Sequence, residues 1–284
     1  MKKLIINADD FGRHELINRA VKIAYEKGFL RSATIMAGGI AFDDAVKISK
    51  NLPNLGVGIH LTLVNGNPIL PPNKIPSLVT NEGTFYDNHA IFLKKYLQGK
   101  INFDEVCDEL SAQIEKIFRA GLKPTHVDSH QHLHHLPKII DIVLKLAESA
   151  NINAIRISDT KIFEGNFGGI GQFIGRVGLA SLAKFSANKA KNKNFLFPNH
   201  FTGIVAGESI TENFMINLIE NLRGGTTEVM LHPGTDNSVL ENFCKWEHNF
   251  EAELNAVTSP KVLKILDEKN ISAVNFSALR SEYE

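Results

Sequence analysis

Short apolar runs alternate with amphipathic helical patterns along the whole chain, and this alternation restricts the fold more than any other feature. The apolar runs at residues 4–6, 32–36, 56–63, 125–130, 154–157, 201–205, 228–234 and 271–276 read as strands. Between them, residues 15–27, 42–51, 104–120, 137–149, 212–223 and 259–269 carry helical spacing or helix signals. The clearest is 104–120, with Val106, Leu110, Ile114, Ile117 and Phe118 on one stripe; Ser209 and Glu212 are spaced as a capping box for 212–223. Strand–helix alternation predicts parallel strands joined by crossovers. Seven or eight such units predict an α/β fold of the (β/α) barrel type, one domain over residues 1–284. Residues 65–88 hold four prolines and two glycines, so a loop insertion is expected near 65–100, and a variable segment near 165–195.

Composition excludes several classes. Thirty-one basic and 31 acidic side chains balance, which argues against general nucleic-acid binding. Two cysteines, far apart, favour a reducing compartment over a disulfide scaffold. The apolar run after the first lysines is too short for a signal peptide, and no stretch is long enough to span a bilayer. The expected location is the cytoplasm. Eleven histidines, several clustered, are the unusual item.

A parallel barrel delivers the carboxyl ends of its strands to one face. Asp9 and Asp10 end the first strand, His60 lies on the third, His130 ends the fourth and His232 ends the seventh. Adjacent carboxylates repel, and a divalent cation is the simplest offset. One Asp with two imidazoles suits such an ion with open positions; the spare Asp then serves as base and a further His as acid. In Asp128-Ser129-His130-Gln131-His132-Leu133-His134-His135, Asp128 and His130 are two apart and share a strand face. Other histidines there orient ligands or reach substrate. His60 or His232 alone reads more readily as a hydrogen-bonded core residue than as a ligand. Arg156 on an apolar strand needs a buried anion, with Asp9 the attractive partner, unless it lies at the rim.

Four motifs carry a resemblance: Asn7-Ala8-Asp9-Asp10-Phe11-Gly12, Gly58-Ile59-His60-Leu61, Thr125-His126-Val127-Asp128-Ser129-His130-Gln131-His132 and Leu231-His232-Pro233. Together, and in this order, they resemble the YdjC-like carbohydrate deacetylases. The resemblance implies a deformed β/α barrel and metal-dependent hydrolysis of an N-acetyl group on a sugar. It matches Asp10, His60 and His130 to metal ligands, Asp9 to the general base and His232 to the acid, with Arg156 near the base. His132, His134, Phe11 and Asp128 are expected around the substrate. One divalent ion is implied, magnesium by resemblance; two imidazoles favour zinc or another transition ion. No motif is broken, so an active hydrolase is expected.

The resemblance admits two substrate classes, soluble chitin disaccharides such as diacetylchitobiose and an acetylated amino sugar on a lipid carrier, as in lipid A or hopanoid decoration. Phe167, Phe173, Ile174, Val177, Leu179, Leu182 and Phe185, with Lys184, Lys189, Lys191 and Lys193, favour the lipid-linked class through peripheral contact with the inner membrane surface. The alternative is a barrel helix with a basic solvent face. A homo-oligomer is compatible with the sequence. The rival functions are another amide or phosphoester hydrolase and a non-catalytic sugar-binding protein. The latter's mark would be loss of Asp9 or a metal ligand, and neither is lost.

Overall fold

Strand β1 (Lys2–Phe11) is the axis of the sheet. The computed structural model describes residues 2–159, 170–204 and 209–282. Beside β1 on one side lie β2 (Ser32–Ile35), β3 (Gly56–Leu61) and β4 (Val127–Ser129). On the other lie β6 (Gly225–Leu231) and then β5 (His200–Thr202), and every pairing is parallel. β6 follows β1 from Lys2 to Ala8, so β7 (Ser272–Val274) must share the opposite edge with β2: it takes residues 3–5, and β2 takes Asn7 onward.

The result is the expected parallel α/β architecture, a curled, deformed barrel. Several strands are shorter than the sequence suggests, β3, β4 and β7 among them. Residues 154–157 make only single bridges, Ile155 to Val127 and Ala154 to Leu196. The ladder stops there because histidine side chains take its next polar groups: His134 bonds the Arg156 carbonyl, and His135 accepts the Ser158 amide. β5 ends at Thr202, and Val205 lies outside the described residues.

Period two along the strands separates two interiors. Leu4, Ile6 and Ala8, with Ala33, Ile35, Val57, Ile59, Val229 and Leu231, belong to the main apolar core. That core is covered by α1 (Glu15–Lys27), α2 (Phe42–Asn51), α4 (Phe103–Arg119), α5 (Ile139–Ser149), α7 (Glu212–Glu220) and α10 (Pro260–Glu268). Ile5, Asn7 and Asp9 alternate with these and line the lumen. Its floor is apolar: Ile5, Ala154, Phe276 and Leu279 cluster, and the His126 ring stacks on Phe276 with centroids 3.5 Å apart. Gly58 makes room for this stack, since a Cβ there would lie 2.3 Å from the His126 ring.

Three helices were not expected: α3 (His89–Leu97), α8 (Asn237–Cys244) and α9 (Phe250–Thr258). The capping box is also replaced. Thr211 caps α7 by accepting the Phe214 amide, while Ser209 accepts the Asn249 amide and Glu212 accepts the Ser259 hydroxyl. The insertion at 65–88 is pinned by α4, where Glu109 accepts the amides of Ile69 and Leu70 and Glu105 that of Ser77.

Of the variable segment, residues 160–169, Phe167 among them, lie outside the described residues; the rest forms α6 (Ile170–Asn192). Three of the segment's lysines fold back on the protein: Lys189 pairs with Asp141 at 2.6 Å, Lys193 with Glu148 at 2.7 Å, and Lys191 lies over Phe197. Phe173 and Ile174 are exposed. Among the described residues no helix is long and apolar enough to cross a membrane.

Candidate functional site

Asp9 and Asp10 would face opposite sides of a regular strand. Between Ala8 and Phe11, however, β1 advances three residues while β2 advances from Ala33 to Ile35, and Asp10 adopts φ 62°. This bulge turns both carboxylates into the lumen. Aspartate is among the few residues that enter the left-handed region readily. The following turn is closed by the Gly12 amide donating to Asn18 Oδ1 at 2.7 Å.

Asp9 meets Arg156, which is wholly buried. Nη1 donates to Asp9 Oδ2 at 2.6 Å and Nη2 to Oδ1 at 2.7 Å. Nη1 is also 2.6 Å from Asp128 Oδ2, and Nε donates to Glu228 at 2.7 Å. Asn7 adds a bond to Asp9 Oδ1 at 2.8 Å. Burial alone would lower the Arg156 pKa, yet Asp128, Asp9 and Glu228 carry it well above its ordinary value. Burial raises Glu228 to about 7, against the pull of Arg156.

Asp10 meets two imidazoles. Its Oδ1 lies 3.0 Å from His130 Nδ1 and 3.4 Å from His60 Nε2, and Arg13 donates to Oδ2 at 2.6 Å. Behind His60, Asp128 Oδ1 accepts from Nδ1 at 2.7 Å, which leaves the Nε2 lone pair facing Asp10. Burial would depress His60, but Asp128 and Asp10 lift it to about 10, so the pocket favours positive charge at this point. Asp10 Oδ1, His60 Nε2 and His130 Nε2 are buried with no hydrogen-bond partner, and ligand atoms of the three residues lie within 4.8 Å of one another. With Asp10 Oδ1 and His60 Nε2 unpartnered and His130 Nδ1 3.0 Å from that oxygen, this O,N,N set fits a divalent cation. Asp9, His60 and Asp128 also cluster, but Arg156 already supplies the positive charge there.

His232 follows β6, half-buried, and its amide donates to Glu253 on α9. Its ring stands edge-on to Trp246 at 5.0 Å and to His248 at 5.7 Å. Burial lowers its pKa while Asp9 and Asp10 oppose the shift, which puts its ring within electrostatic reach of both aspartates.

Three residues expected at the substrate lie elsewhere. Phe11 is fully buried in the apolar core, on the helix side of the sheet. Asp128 is fully buried beneath His60 and Arg156. His134 is fully buried between the Ser129 hydroxyl and the Arg156 carbonyl, bracing two wall segments. His132 remains half-buried, with Gln131 and His132 at φ 52° and 58°, Nδ1 bonded to Ser158 Oγ. Sequence reasoning passed over Asn7, Arg13, Glu228 and Glu253. Asn7 and Glu228 carried a signal, a polar residue on the lumen side of an apolar strand; Glu253 on its amphipathic helix carried none.

The pattern defines a family. A model for YdjC-like protein matches residues 3–268, and the chain belongs to that family. Two relatives named carbohydrate deacetylase are each 30% identical to it. The one from Thermoanaerobacter pseudethanolicus aligns over 99% of this chain and all of its own length. The one from Brevibacillus brevis aligns over 98% and 99%. A crystal structure from Enterococcus faecalis V583, of a protein provisionally assigned to cellobiose-phosphate cleavage, superposes with TM-score 0.78 and 27% identity, covering 98% of each chain.

Proposed function

We propose that this chain is a metal-dependent carbohydrate deacetylase that hydrolyses the N-acetyl group of an amino sugar to acetate and a free amine. One observation carries the reading: the convergent, buried donors of Asp10, His60 and His130 lie beside an aspartate held by Arg156. The relatives' shared name supplies the substrate class. A divalent ion held by Asp10, His60 and His130 would polarise the acetamide carbonyl and acidify water. Asp9 takes the proton of the attacking water at Oδ2, where a lone pair remains beside the Arg156 contact. His232 hands a proton to the departing sugar nitrogen as the C–N bond breaks. Arg156 holds both oxygens of Asp9 and so fixes the orientation of the carboxylate. His132 borders the sugar.

The test is acetate release from N-acetylated chitobiose by chelator-stripped protein reloaded with magnesium or with zinc. Asp9→Asn should lose at least about 100-fold in kcat while retaining its metal. A variant as fast as wild type sinks the assignment of the base. The donor set favours zinc or another transition ion, and the comparison of the two metals decides this.

A lipid-linked amino sugar is a second reading, favoured by the exposed Phe173 and Ile174 on α6 and weakened by the pairing of Lys189 and Lys193 with α5. Failure to sediment with anionic vesicles, together with full activity on the soluble sugar, removes it. The cytoplasm suits the two free cysteines, Cys107 and Cys244.

A further inference from the structure

A second cluster of metal-ligating groups adjoins the first centre. One ring nitrogen of His232, one of His248 and a carboxylate oxygen of Glu253 lie within 4.8 Å of one another. The Glu253 and His248 side chains are only 3% and 7% exposed. His248 Nε2 lies 3.3 Å from Glu253 Oε1, yet it makes no aligned hydrogen bond and is a buried, unpartnered atom. A spacing of roughly 3.3 Å is what two ligands show when each is about 2 Å from one tetrahedral ion.

The surrounding groups hold these donors in place. His248 Nδ1 faces the Ser209 hydroxyl at 3.3 Å, and the ring stacks on Trp246 at 4.0 Å, so Nε2 is aimed inward. Each oxygen of Glu253 accepts one backbone amide, from Ile210 and from His232, which fixes the carboxylate and leaves each oxygen a further lone pair.

We infer that His232, His248 and Glu253 form a second, inhibitory metal site, selective for zinc or a similar imidazole-seeking ion over magnesium. Two imidazoles and a carboxylate match zinc, whereas magnesium prefers oxygen donors. Binding takes a ring nitrogen of His232, so that ring no longer delivers its proton. The inhibitory consequence rests on the role of His232 as acid; the site itself does not.

The experiment titrates chelator-stripped protein with zinc chloride alone, reading stoichiometry by calorimetry and by elemental analysis after desalting. Wild type should bind two zinc ions per chain, and His248→Gln should bind one. His130→Gln, which lacks a ligand of the first centre, should still fill the second. In the acetate assay, wild-type activity should rise with the first equivalent and fall with the second, while excess magnesium does not inhibit. His248→Gln should retain comparable activity and need at least about 10-fold more zinc for inhibition. One zinc in wild type, or unchanged binding in His248→Gln, overturns the site. Two zinc ions with undiminished activity leave the site standing but overturn its inhibitory role. Absence of acetate release at every metal level, with two zinc ions bound, would count against the deacetylase reading alone.

Discussion

Arg156 holds both oxygens of Asp9, at 2.6 and 2.7 Å, from a position with no exposure to solvent. The same guanidinium meets Asp128 and Glu228, so one cation serves three carboxylates. Its removal leaves buried like charges facing one another. Arg156→Met should destabilise the fold by about 3–5 kcal/mol, read by urea denaturation, and abolish acetate release. A small stability change would mean that Arg156 is not what holds these carboxylates together.

Asp128 acts through His60, on the geometry of their 2.7 Å bond. Asp128→Asn should weaken metal binding by about 10- to 100-fold, measured by calorimetry on stripped protein. A substrate contact would behave differently, raising KM with metal affinity intact.

Gly58 touches the floor of the lumen. In Gly58→Ala the new Cβ must displace the His126 ring or the strand, at a cost of about 1–3 kcal/mol. A fall in Tm of several degrees is expected, and an unchanged Tm would show that the His126–Phe276 stack yields freely.

Glu228 gives the stability a pH dependence. Its pKa rises on folding from 4.5 to about 7, chiefly through burial. Between these values the folded chain binds the extra proton. Its contribution is therefore full below the lower value and is lost as pH rises through the upper one, by on the order of 3 kcal/mol. In Glu228→Gln, which keeps an acceptor for Arg156 Nε, denaturation midpoints should lose this slope between pH 5 and 7. An unaltered slope would assign it to other groups.

The sequence made the strand order of chemistry legible: Asp9 and Asp10, His60, His130, Arg156 and His232 all come to the lumen or its mouth, each at or near a strand's carboxyl end. The partnership of Arg156 with Asp9 followed from the cost of burying an isolated charge. The role of Asp128 did not follow, because period two says which face a side chain takes but not how deep it lies. Asp128 is inside β4, whereas His130 is already in the turn beyond it. Phe11 was misplaced for a related reason. The bulge at Asp10 shifts the alternation by one, which returns Phe11 to the helix side. Glu253 reaches His232 from α9, a helix distant in sequence from the motif it supports.

The edge of β1 is divided between β2, which follows it closely in the chain, and β7, which comes close to the far end. A chain emerging from the ribosome therefore exposes Asp9, Asp10, His60, His130, Arg156 and His232 well before Phe276 and Leu279 can seal the lumen beneath them. Contacts of such long sequence separation form late. A nascent chain carries the full set of reactive side chains without the dry base that holds them, and that base is complete only once Phe276 and Leu279 are in place.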